Sequence, residues 1–235
     1  DVALKAEEED KSDDFTLQPP VVWYSETPDI VCDEAAWREK VRKFSSVFKE
    51  HPQIYRSRVT FAVINQKSYF LNTEGTKIVE KSGRIQLDIW ATVKADDGMD
   101  MFRYESEHGA SFDEMPSDAE IIKKINGMIS DLETLRKAPV VEPYSGPAIL
   151  CNRASAVFFH EIFGHRIEGH RQKDEKEGQT FTKMIGKKVF PDFITVYDDP
   201  GLKRFNNRML VGAYEYDDEG VKGQKTMIVD KGVLK

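Results

Sequence analysis

Residues 84–93 read R-I-Q-L-D-I-W-A-T-V, with Ile85, Leu87, Ile89, Ala91 and Val93 on alternate positions. A strand sends successive side chains to opposite faces, so this spacing predicts a strand with one buried face. Val59, Phe61 and Val63 repeat the pattern upstream. Turn-forming residues at Asn72–Gly75 and Asp96–Gly98 separate the runs. The segment from Ile54 to His108 therefore predicts an antiparallel meander of about four strands, packed on one face. His108-Gly109 closes the last strand, and His108 reads as a loop residue rather than a ligand.

On either side of the meander the period becomes helical. Asp33 is a good N-cap, and Trp37, Val41, Phe44 and Phe48 follow on one stripe that ends near His51-Pro52. Ser117 and Glu120 form a capping box opening a second amphipathic helix, with Ile121, Ile125, Met128, Leu132 and Leu135 inward. The fold class expected is α+β, an N-terminal antiparallel sheet with two amphipathic helices followed by a motif-bearing helix and the start of a β-rich C-terminal domain. The boundaries are 1–20 for a disordered acidic tail, 21–138 for the first domain and 146–235 for the second piece. A Pro-rich linker, Pro139 to Pro147, lies between them. In the second piece a short buried strand at Ala148–Leu150 is expected to lead into a helix over Ala154–Glu168. A charged loop over Lys173–Lys188 comes next, then strands at Phe193–Tyr197, Met209–Tyr216 and Lys225–Val229. Unfinished strands leave unpaired edges, which predicts dimerisation or swapping.

The chemistry concentrates in His160-Glu161-Ile162-Phe163-Gly164-His165, continuing through Glu168 and Gly169 to His170. Neutral imidazoles are preferred zinc ligands, and a glutamate beside them can serve as a base toward water. The spacing departs from H-E-x-x-H, because these histidines stand at i and i+5. On a regular helix they diverge by roughly 140°. An extra residue in the turn, a π-bulge, would bring them together, and Gly164 points to distortion or close backbone approach at that place. The plain alternative is two unrelated histidines on an apolar helix.

The stretch from Gly146 to His170, G-P-A-I-L-C-N-R-A-S-A-V-F-F-H-E-I-F-G-H-R-I-E-G-H, resembles the H-E-x-x-x-H region of the TldD/PmbA family. Ile185–Gly201, Tyr216–Thr226, the terminal D-K-G-V-L-K and the upstream Tyr69–Thr76 are similar to family segments in the same order. The resemblance implies a zinc metallopeptidase acting on peptides or unfolded protein segments, one zinc ion per active site. It further implies His160 and His165 as metal ligands and Glu161 as the catalytic base. Family members pair a motif-bearing subunit with one that lacks the motif, so a homo- or hetero-oligomer with a TldD/PmbA-family subunit is expected. The third ligand in the family is a cysteine downstream of the matched segments. This chain alone is therefore expected to hold metal poorly and to be inactive. Cys151 and His170 are the substitutes to weigh within the chain, with Glu168 as a partner for an imidazole N–H. His170 stands where family members commonly have aspartate. The rival reading is a non-catalytic assembly or peptide-docking subunit of the same family.

Composition narrows the field. A net charge of −7 over 235 residues argues against a duplex nucleic-acid partner. No run of about 18 apolar residues predicts a membrane span. Cys32 and Cys151 form neither a disulfide scaffold nor a zinc ribbon. No G-x-S-x-G, G-x-G-x-x-G or G-K-[ST] occurs, which removes the usual serine hydrolase and nucleotide-enzyme signatures. The compartment stays open between cytoplasmic, by resemblance, and exported after signal-peptide removal.

Overall fold

The computed structural model describes residues 17–173 and 179–235. Most of the acidic tail expected at 1–20 lies outside them, as do residues 174–178 of the charged loop. The chain forms two compact units. One comprises Pro19–Glu142 with Leu202–Ala213, the other Pro143–Gly201 with Tyr214–Lys235.

In the first unit, strand β1 (Val22–Tyr24) precedes helix α1 (Glu34–Ser46), whose last turn tightens into a 3-10 segment over Val47–Glu50. Asp33 caps α1 as expected, its carboxylate accepting the Ala36 N–H at 3.0 Å. Then come two long strands, β2 (Ile54–Leu71) and β3 (Lys77–Lys94), and the shorter β4 (Asp100–Gly109). The four-strand meander needs correcting. Three strands run antiparallel, and the fourth is β1, which pairs in parallel with Lys77–Val79 at one end of β3. Since β4 takes Ile85–Lys94 on the same side of β3, the two short strands divide one long edge. His108 is a strand residue, opposite Gln86, and not in a loop.

Helix α2 (Asp118–Arg136) opens with the expected capping box, both reciprocal bonds present. Its stripe of Ile121, Ile125, Met128 and Leu132 packs on Phe44 of α1, on Phe48 of the 3-10 segment and on Leu87, Ile89, Ala91 and Val93 of β3. Each large side chain buried here contributes on the order of 1.5–3 kcal/mol. The two helices are also tied by charge, since Asp118 of α2 receives Lys40 at 3.0 Å and Lys43 at 3.3 Å from α1.

The second unit differs more from expectation. Ala148–Leu150 is not a buried strand, and Ile149 is 93% exposed. No alternation marks that tripeptide, and its apolar character alone does not set its burial. The motif helix α3 (Asn152–Ile162) stops well before Glu168; a 3-10 turn over Gly164–Ile167 and the short α4 (Gly169–Lys173) follow. Downstream lie β5 (Val196–Asp198), β8 (Thr226–Asp230) and β9 (Val233–Leu234), hydrogen-bonded in the order β5-β8-β9. Between them a small hairpin, β6 (Arg204–Phe205) and β7 (Arg208–Met209), turns through Asn206 and Asn207. Both asparagines take positive φ, +48° and +62°, the conformation of a tight primed turn. The strand expected at Met209–Tyr216 shrinks to Arg208–Met209, because this reversal fixes the pairing on the other side. The hairpin belongs with the first unit, where Arg204 pairs with Glu114, although the sequence placed it in the C-terminal piece.

The β8–β9 turn passes through Lys231 and Gly232, at φ +45° and +81°. A Cβ on Gly232 would collide with the Phe190 carbonyl oxygen and stand 2.9 Å from that of Pro191. Gly232→Ala should destabilise the protein by about 2–3 kcal/mol, adding steric overlap to left-handed strain; an unchanged urea midpoint would refute the close approach. A second expectation concerns acid. Lys40, hydrogen-bonded to Asp118 and backed by Lys43, holds that carboxyl below its ordinary range. With the folded value depressed, the stabilisation is complete above the unfolded carboxylate pKa of about 3.9 and is lost as pH falls through the folded value. Asp118→Asn should flatten melting temperature against pH below about 4, and parallel acid limbs for the two proteins would count against the lock.

Candidate metal centre

Helix α3 carries the site at its C-terminal end. Phe159 and Phe163 face the small core of the second unit, where Phe163, Val229 and Leu234 are buried with Phe181, Val189 and Phe190 packed around them. The Phe163 ring lies 4.9 Å from that of Phe190 and 5.3 Å from that of Phe181. At Phe163 the backbone leaves helical geometry, with φ −126° and ψ −53°, and its N–H closes the last helical turn onto the Phe159 carbonyl at 3.0 Å. The chain then tightens into the 3-10 turn, Arg166 N–H bonding Phe163 O at 3.0 Å.

This break replaces the expected π-bulge and brings the histidines together by another route. The His160 and His165 rings stand edge to face, centroids 4.3 Å apart. Each of His160, Glu161 and His165 offers a donor atom within 4.8 Å of the others. The side chains of His160 and Glu161 are 60% and 61% exposed, and that of His165 is 37% exposed, so a solute can reach all three. Gly164 does not serve through backbone freedom. A Cβ there would lie 3.9 Å from His160 Nδ1, an ordinary contact, so of the two readings of Gly164 close approach is not found, whereas distortion is, in the break at Phe163.

Glu168 accepts a hydrogen bond from His165 Nδ1 at 2.6 Å, and its other oxygen meets Arg171 Nε at 2.6 Å. Arg171 first, and His165 after it, hold this carboxyl below its usual range. A carboxylate has no proton to give, so Nδ1 carries the hydrogen, and Nε2 is the ring nitrogen left to hold a metal. The sequence had marked Glu168 for such a role. Arg171 was missed, and its only signal is the i+3 spacing from Glu168.

The two substitute ligands are not brought in. Cys151 is exposed and precedes the first residue of α3, and nine helical positions put it roughly 13 Å of axial rise from His160. His170 lies on α4, its Nε2 3.6 Å from Glu168 Oε2, and among the described residues it belongs to no group that could share an ion with His160. The break after Ile162 is the reason, since it ends the helix whose continued bulging would have aimed His170 at the site. Elsewhere, His108 Nε2 meets Ser106 Oγ at 2.9 Å and His51 lies 3.5 Å from Glu133.

A family model described as the PmbA/TldA metallopeptidase C-terminal domain matches residues 143–235. A metalloprotease TldD homolog from Buchnera aphidicola is 39% identical over 89 residues, covering 38% of this chain and 17% of its own. A metalloprotease from Methanothermobacter thermautotrophicus is 28% identical over 186 residues, covering 77% of this chain and 38% of its own. A zinc metalloprotease TldD homolog from Saccharolobus solfataricus is 29% identical over 89 residues, 38% of this chain and 18% of its own. Among solved structures, a Thermotoga maritima protein described as a modulator of a DNA gyrase superposes with a TM-score of 0.67 at 15% identity, over 96% of this chain and 51% of that one. TldE from Thermococcus kodakarensis gives 0.59 at 18% identity, over 99% and 50%. The chain thus spans about half the length of these solved relatives and less of the curated ones. Residues 143–235 thus match the PmbA/TldA metallopeptidase C-terminal domain in sequence, and nearly the whole chain shares the fold of these solved structures.

Proposed function

We propose that this chain carries the motif-bearing part of a zinc-dependent metallopeptidase that hydrolyses peptides or unfolded protein segments. The observation that carries the reading is the convergence of His160, Glu161 and His165 within 4.8 Å at the broken end of α3. Relatives named as metalloproteases, one of them as a zinc metalloprotease, support it.

The donor set fits zinc, which favours imidazole nitrogen and accepts carboxylate oxygen. His160 and His165 would hold the ion, His165 through the Nε2 that its bond to Glu168 leaves free. Zinc so held would supply a Lewis acid that polarises a peptide carbonyl and acidifies water. Glu161 projects beside the histidines, its Oε1 3.9 Å from His160 Nε2. It takes a proton from the attacking water and delivers it to the leaving amine. Glu168 keeps the His165 ring in one tautomer and one orientation, and Arg171 keeps Glu168 in place.

Two imidazoles leave one protein ligand to be supplied, and the family resemblance assigns it to a cysteine outside these residues. Weak zinc binding by residues 1–235 alone is expected, with full activity where that cysteine is present, in a homo- or hetero-oligomer with a TldD/PmbA-family subunit. The rival reading, a non-catalytic docking or assembly subunit, binds peptide without cleaving it.

Zinc content by elemental analysis and peptide hydrolysis separate the two readings. His160→Ala and His165→Ala should each abolish zinc uptake, whereas Glu161→Gln should keep zinc and lower hydrolysis by the active protein about 10²–10⁴-fold. Hydrolysis undiminished in Glu161→Gln would end the peptidase reading. Glu168→Gln should weaken zinc affinity about 10–100-fold by releasing the His165 ring. Equal affinity in a competition titration would remove Glu168 from the site.

A further inference from the structure

We infer that the first unit binds a free aromatic amino acid, in a pocket at the end of its sheet that the two helices leave open. The helices pack on Leu87–Val93 of β3. Val79 and Lys81, near the start of the same strand, instead floor a pocket of about 600 Å³ whose lining holds no helix residue. That volume is in the range of small-molecule sites. Three strands build the floor in register. Tyr24 of β1 and Tyr69 of β2 stand opposite Val79 from either side, so the three side chains share one face and one row. Adjacent strands run about 4.8 Å apart, which sets the two tyrosines about 10 Å from each other across the valine. A flat ring placed midway meets each tyrosine at about 5 Å, inside the spacing that aromatic pairs prefer. Both tyrosines are more than half exposed, at 62% and 63%, so a solute can enter the slot.

Charge supplies the rest of the recognition. The next row along the strands sets Lys67 opposite Lys81. Asp29 pairs with Lys81 at 3.0 Å. Lys67 lies over the Tyr69 ring, 5.3 Å from its centroid, and has no carboxylate partner among the described residues. Glu26, on the loop that rims the pocket, is likewise without an ion-pair partner among them. One uncommitted cation and one uncommitted anion beside an aromatic slot suit a zwitterion, with its carboxylate on Lys67, its ammonium on Glu26 and its ring between the tyrosines. The rim is anchored at both ends. The Ser25 N–H bonds the Val79 carbonyl at 2.8 Å. Ile30 donates its N–H to Asn65 Oδ1 at 2.9 Å, and its carbonyl accepts from Asn65 Nδ2 at 3.0 Å. The chain crosses β3 at Gly83, where a Cβ would stand 3.0 Å from Ile30 Cδ1 and 3.1 Å from Asn65 Oδ1. A rim fixed in this way spares the ligand the cost of ordering it. Complete hydrolysis of peptides releases molecules of this class, so the inference rests on the peptidase reading only for the source of the ligand.

The test is equilibrium dialysis of the full chain against L-phenylalanine at low ionic strength, beside L-alanine, N-acetyl-L-phenylalanine and L-phenylalaninamide. L-Phenylalanine should bind saturably. The three analogues lack the ring, the ammonium and the carboxylate in turn, and each should bind about tenfold more weakly or worse. Lys67→Gln should weaken L-phenylalanine about tenfold and leave L-phenylalaninamide unchanged, whereas Glu26→Gln should weaken L-phenylalanine and leave N-acetyl-L-phenylalanine unchanged. A general loss of structure would not produce that crossed pattern, and both residues are exposed, so melting temperatures should match wild type. Glu161→Gln should bind L-phenylalanine as wild type does, which keeps this result apart from any failure of peptide hydrolysis. No saturable binding at millimolar L-phenylalanine overturns the inference, as does equal affinity for the two blocked analogues or an undiminished affinity in Tyr69→Ala.

Discussion

Burial of the Phe163 ring is the contact on which the geometry of the second unit turns. The ring is 1% exposed and wedged among Phe159, Phe181 and Phe190. Burying a side chain of that size is worth on the order of 1.5–3 kcal/mol. Because Phe163 is held there, the backbone leaves α3 at its position and the next residues curl tightly. On an uninterrupted helix His160 and His165 would point roughly 140° apart; with the break their rings lie 4.3 Å apart. Packing behind the helix, and not attraction between the polar groups, thus sets the spacing in front of it. Glu168 and Arg171 then determine which imidazole nitrogen is left to hold a metal.

The first unit is organised on a different principle. Its sheet presents one apolar face from β3, and two helices lie on that face with their stripes interlocked. Charge adds direction to that packing, as in the contact of Asp118 with Lys40 and Lys43. The other face of the sheet is polar and aromatic, with Arg56 over the Trp90 ring and Asp88 accepting from Tyr104 and Ser106. The unit therefore has a dry layer that gives stability and a wet layer that leaves function to be assigned.

What could be read from the sequence follows the range of the forces involved. Alternation at Ile85–Val93, the Asp33 cap and the Ser117–Glu120 box are local signals, and the structure reproduces each of them. The parallel pairing of β1 was not legible, because Val22–Tyr24 is too short to show a period and its partner lies about fifty residues away. The break at Phe163 was hidden for the same reason. Histidine spacing showed that a regular helix would not serve, but the ring packing behind the break depends on Phe181 and Phe190, distant in sequence. The hairpin at 204–209 joins the first unit through Arg204 and Glu114, a pairing that no local pattern announces.

That hairpin carries a consequence for anyone who would dissect the molecule. Because Leu202–Ala213 folds with the first unit while the residues on either side fold with the second, neither unit is one continuous stretch of polypeptide. Cutting between residues 138 and 146 would strand the hairpin on the wrong piece and leave Glu114 without its arginine. Expression of the first unit with all its parts requires grafting the hairpin back through a new connection, and ribosomal synthesis completes that unit only when residue 213 has been delivered.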